Sequence, residues 1–122
     1  MKLIQKLFLT LGLLTACATV AEAHAFLDHA DPKVGSTVKG SPSVVKAWFT
    51  EELEPAFSKI QVFDATGKEI DKQDVQVDAT NKSLMSVSVP TLAAGTYKVK
   101  WSAVAVDTHH TTGTFTFTVT SP

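Results

Sequence analysis

Asp107 and His109 stand two residues apart in VAVDTHHTTG (residues 104–113), and His110 follows at once. The chain has only four histidines, and the other two, His24 and His29, lie near its start in AEAHAFLDHADP. Imidazole and carboxylate together are metal-ligating chemistry. On an extended segment a spacing of two sends Asp107 and His109 to one face and His110 to the other. On spacing alone a plainer reading stands equally: Asp107 satisfying backbone groups at a strand end, and His109 a half-exposed histidine.

What precedes His24 changes that balance. The chain opens MKLIQKLFLTLGLLTACATVAEA, with Lys2 and Lys6 ahead of a mostly apolar run from Leu7 to Val20. Ala21-Glu22-Ala23 then fits a small-x-small cleavage site, so residues 1–23 read as a secretory signal peptide. Cleavage after Ala23 would make His24 the first residue, with a free α-amine beside its own imidazole. An α-amine titrates near ~8, so a metal displaces its proton at neutral pH. Amine and imidazole of His24, imidazole of His109 and carboxylate of Asp107 then make three nitrogens and one oxygen. That set suits tetragonal Cu(II), which leads the divalent affinity order; a tetrahedral Zn(II) site fits less well. A second processing route stays open. Leu14-Thr15-Ala16-Cys17 resembles a lipoprotein box, which would leave Cys17 acylated and the protein membrane-anchored.

The chain has 122 residues, of which residues 24–122 make a domain of ordinary size with a core to match. Removing Lys2, Lys6 and Glu22 with the leader takes the formal net charge from −1 to −2, which argues against nucleic acid as a partner. Cys17 is the one cysteine, so a chain cut after Ala23 has no disulfide, thiolate site or cysteine nucleophile.

The elements that must position these residues are strands. Tyr97, Val99, Trp101 and Ala103 alternate with polar residues; so do Phe115, Phe117 and Val119, and Met85, Val87 and Val89. Ile60 and Val62 flank Gln61, and Val45, Ala47 and Phe49 share a face with Trp48 on the other. Each run predicts a strand with one buried and one wet face. Turn signals separate them at Asp31-Pro32, Gly40-Ser41-Pro42, Asp64–Gly67, Ala79–Lys82 and Ala94-Gly95. Glu51–Phe57 (EELEPAF) has room for one helical turn, limited by Pro55. Leu92-x-x-Gly95-x-Tyr97 has the spacing of a tyrosine corner. About seven short strands predict an all-β, antiparallel Greek-key sandwich or barrel, immunoglobulin-like in architecture. Trp48 and Trp101 read most simply as core aromatics, and Met85 as a core residue.

Three stretches carry a family resemblance: HAFLDHADPKVGSTV from His24, FTEELEPAFSKIQVFDATGKEI from Phe49, and GTYKVKWSAVAVDTHHTTGTFTFTV from Gly95. Together they resemble the CopC family of periplasmic copper-binding proteins, through the whole of residues 24–122. The most specific part is histidine after the signal combined with D-x-H-x-x-x-G, here Asp107, His109 and Gly113. The resemblance implies a cupredoxin-like sandwich and Cu(II) held by His24 (amine and imidazole), Asp107 and His109. It also implies a glutamate near the site, matched by Glu51 in F-T-E, which would orient a ligand or the amine. As a solvated strand-end charge, Glu51 reads equally well. It further implies a monomeric, non-enzymatic copper carrier in the periplasm that works beside an inner-membrane CopD-type protein.

Two departures bear on this. Some members carry a methionine- and histidine-rich Cu(I) loop, whereas Met85 is the one methionine after residue 1, so a Cu(II)-only member is expected. His110 stands where the family often has another residue; an exposed surface role is favoured, with alternate ligation open to it and to His29. The competing function is a histidine-brace copper oxidase or monooxygenase. Against it, Asp107 would fill a coordination position that oxygen activation needs open.

Overall fold

The structure, a computed structural model, describes residues 24–122. The expected signal peptide, residues 1–23, and Cys17 within it lie outside the described residues. Eight strands follow in order: β1 (Leu27–Asp31), β2 (Thr37–Lys39), β3 (Val44–Phe49), β4 (Lys59–Phe63), β5 (Gln76–Val77), β6 (Leu84–Ser88), β7 (Gly95–Val104) and β8 (His110–Thr120). They form two four-stranded sheets, β1-β3-β6-β5 and β2-β8-β7-β4. All neighbours are antiparallel except β2, which runs parallel to β8.

The alternating residues turn inward as their spacing requires. Val45, Ala47, Ile60, Val62, Met85, Val87, Val99, Ala103, Phe115, Phe117 and Val119 all lie in the core between the sheets. Trp101 is there too, edge-on to Phe49 at 5.1 Å. Trp48 is not. It lies half-buried on the outer face of the first sheet, stacked on His29 at 4.4 Å with the rings 9° apart. Strand period decides this: Trp48 sits one residue out of phase with Ala47 and Phe49. Packing against an imidazole covers one face of its indole instead of burial in the core.

The tyrosine corner forms, with the Tyr97 hydroxyl donating to the Ala93 carbonyl at 2.7 Å. Tyr97→Phe deletes that bond alone and is expected to lower unfolding free energy by about 1 kcal/mol in urea titrations.

Two turns are closed by carboxylates. Asp64 accepts from the Thr66 hydroxyl and from the Thr66 and Lys68 amides. Asp78 accepts from the Thr80 hydroxyl and from the Thr80 and Asn81 amides. These hydrogen bonds, the threonine hydroxyls first, hold both carboxyls below the usual range. A depressed folded pKa stabilises above the unfolded value, about 3.9, and that contribution is lost as pH falls through the folded value. The urea midpoint should therefore drop as pH is taken below about 4, and drop less steeply in Asp64→Asn/Asp78→Asn.

Glu51–Phe57 does not become a helix. Leu53 is buried and forms a lone antiparallel bridge with Ala105, and only Pro55–Phe57 makes a turn, with the Phe57 amide donating to Glu54. The Glu54 amide donates to Val104 and the Val106 amide to Glu52. The loop after β3 is thus tied to the β7–β8 connection at one end of the sandwich. Charge is unevenly spread about this end. The two tied segments, residues 50–58 and 105–109, carry Glu51, Glu52, Glu54 and Asp107 and no lysine. The strands of the second sheet carry Lys39, Lys59, Lys98 and Lys100 and no carboxylate.

Candidate metal centre

Asp107 and His109 do meet, though not because the segment is extended. Between β7 and β8 the chain turns, with the Thr108 amide donating to Ala105 at 2.7 Å and the Ala105 amide to His109 at 3.0 Å. Thr108 takes φ 76°, a left-handed conformation rare for a β-branched residue. Asp107 holds the turn from inside: its Oδ1 accepts the His109 amide at 3.2 Å. Its Oδ2 lies 3.1 Å from His109 Nδ1. The backbone hydrogen bond from His109, followed against partial desolvation by the imidazole, keeps the Asp107 carboxyl below its usual range. It is therefore ionised at neutral pH and available as an oxygen donor.

His24 reaches the same place from the other end of the chain. Its ring stands 4.5 Å from that of His109, edge to face at 84°, and 5.8 Å from that of Phe26. Two hydroxyls hold the segment that brings it there. Thr50, just past β3, accepts the Phe26 amide at 2.9 Å and donates to the His24 carbonyl at 3.3 Å. Thr111, on β8, donates to the Ala25 carbonyl. Ala25 between them is fully buried. Sequence reasoning missed both threonines; the only signal was the F-T-E motif, in which Glu51 drew the attention instead of Thr50.

His24, Asp107 and His109 are thus neighbours through His109. Among the described residues, no group of three or more His, Cys, Asp or Glu is already closed around one point that could hold a metal ion. Glu51 is exposed at the end of β3, beside Thr50. His110 points away, its Nε2 2.7 Å from Ser102 Oγ. His29 pairs with Asp28 through Nδ1 at 2.7 Å and stacks on Trp48. The site is open surface: His109 and Asp107 keep 57% and 35% of their side-chain area exposed. A groove of about 580 Å³ lies elsewhere, around Lys98, Lys100, Thr114 and Thr116.

Known proteins share this architecture. The CopC domain matches residues 27–120, a range that includes Glu51, Asp107 and His109 and starts three residues after His24. Copper resistance protein C of Escherichia coli is 34% identical over 98% of this chain and 99% of its own length. Copper transport protein CutJ of Bacillus subtilis is 29% identical over 80% of this chain, which spans only 18% of that longer protein. The crystal structure of CopC from Methylosinus trichosporium OB3b superposes with a TM-score of 0.76 at 35% identity, covering 80% of this chain and 95% of that one. That of PcoC, a methionine-rich copper resistance protein from Escherichia coli, gives 0.72 at 32% identity, covering 80% and 100%. With one domain match over most of its length and relatives of the same fold above 30% identity, the chain belongs to the CopC family.

Proposed function

We propose that the chain is exported, cut after Ala23, and binds Cu(II) in the periplasm as a monomer. It buffers the ion and passes it to another copper-handling protein, with an inner-membrane CopD-type protein as the partner. His24 supplies amine and imidazole nitrogens, His109 a third nitrogen, and Asp107 an oxygen, exchanging its hydrogen bonds to His109 for the metal. Glu51 orients a ligand or the amine from beside Thr50. The observation that carries this reading is the meeting of His24 and His109, 85 positions apart in sequence, at 4.5 Å with Asp107 on the second ring.

Further support comes from the names of relatives, copper resistance and copper transport proteins. Cu(II) is favoured over Cu(I) because the reduced ion prefers thioether and thiolate. Among the described residues the one methionine, Met85, is fully buried in the core. Binding with no catalytic turnover follows from a set in which protein donors fill the equatorial positions.

The test is a Cu(II) titration of the chain beginning at His24, by chelator competition with EPR. One equivalent should bind tightly with a tetragonal signal. His109→Ala should weaken it by about a hundredfold, near 2.8 kcal/mol. Release on acidification is expected, because protons compete with the metal for its nitrogen donors. Binding unchanged in His109→Ala, or no Cu(II) binding, rejects the reading.

A further inference from the structure

We infer that Thr50 and Thr111 are positioning residues for His24, fixing its amine and imidazole for metal capture; this rests on the copper site proposed above. A chain terminus frays unless it is tied down. Here three residues are tied to both sheets at once. The Thr50 hydroxyl accepts from Phe26 N–H and donates to the His24 carbonyl, and the Thr50 amide donates to the Phe26 carbonyl at 2.9 Å. Thr111 takes the Ala25 carbonyl from the other sheet, with the Ala25 methyl buried between.

The consequence is local and specific. Both nitrogens that His24 offers hang from one Cα. The His24 carbonyl is bonded to that same Cα, so holding the carbonyl limits how far the amine and ring can wander from His109. A chelate on a loose terminus must order that terminus each time it binds, which costs backbone entropy. Groups that orient a metal ligand without touching the metal typically matter about 10–100-fold in affinity. A hydroxyl is the right group here. It donates to the carbonyl while Thr50 also accepts an amide, which a valine of the same shape does neither of.

The experiment compares Thr50→Val, Thr111→Val and the serine replacements at both positions, all in the chain beginning at His24. Cu(II) affinity is read by chelator competition and homogeneity of the site by EPR. Amide exchange at Phe26 in the metal-free protein reports the clamp itself. The valine variants are expected to bind Cu(II) about tenfold or more weakly with a heterogeneous EPR signal, and the serine variants to bind as the parent does. Thr50→Val should also lose Phe26 protection. Valine variants that bind as tightly as the parent, or a loss that serine fails to restore, overturn the inference. Unchanged Phe26 protection in Thr50→Val overturns it independently of copper. A parent chain that takes up no Cu(II) while the clamp measurements succeed would instead reject the proposed copper site.

Discussion

A chain carrying one extra residue before His24 should bind Cu(II) at least about a hundredfold more weakly than one starting at His24, a loss of some 2.8 kcal/mol or more. The extension alters no side chain. It converts the amine into an amide, whose nitrogen binds a metal only after losing its own proton, and so takes away one of the two ready nitrogens His24 offers. The remaining imidazole must then bind alone, beside His109 and Asp107. Chelator competition on the two purified chains, with EPR hyperfine splittings to count nitrogens, measures the difference. Equal affinity would take the amine out of the site. It would reopen the Cys17 processing route and turn the ligand search toward His29 and His110, whose present contacts are Asp28, Trp48 and Ser102.

The second large effect concerns the glycine of the D-x-H-x-x-x-G pattern. Gly113 lies opposite Trp101 in the β7–β8 ladder. A Cβ placed there would stand 2.4 Å from Trp101 Cζ2 and 2.7 Å from Cε2. Those atoms belong to a rigid indole that is itself buried against Phe49, so neither side can give cheaply. Gly113→Ala is expected to cost about 2–3 kcal/mol. At about 4–8 °C per kcal/mol in a domain of this size, the thermal midpoint falls by roughly 10–20 °C. Trp101→Phe removes the clashing ring atoms, so the double variant should lose less than the sum of the singles. Strictly additive losses would show that the crowding does not set the cost. The glycine is therefore explained by an aromatic beneath the strand, and Asp107 and His109 merely sit upstream of it.

Most of the sandwich was legible because its long strands alternate cleanly. The runs at Tyr97–Ala103 and Phe115–Val119 bury the residues their period assigns. β2 and β5 were not legible: three and two residues carry no period, and parallel pairing of β2 with β8 leaves no mark in either segment. For the candidate site, the pairing of Asp107 with His109 was anticipated for a reason that fails. A turn closed by the aspartate itself, with Thr108 left-handed, brings them together where an extended segment was expected. Thr50 and Thr111 were hidden because each answers a backbone carbonyl far away in sequence, and the run of threonines along β8 gives no sign of which one does. Trp48 shows the opposite failure. Its strand phase pointed outward, and its size alone suggested the core.

The uneven spread of charge gives two places on the molecule local fields of opposite sign. The tied loops carry four carboxylates and no lysine, and the strands of the second sheet four lysines and no carboxylate, so the net charge of the chain understates what an ion meets at either place. A divalent cation diffusing in is drawn toward the acidic loops, and the face of the second sheet repels it. Such guidance reaches only about 10 Å at 0.1 M salt, and further in dilute media. Capture should accordingly be fastest where ionic strength is lowest, with speed of arrival more sensitive to salt than tightness of hold. Dilute and salty media would then differ more in how quickly copper is picked up than in how firmly it is held.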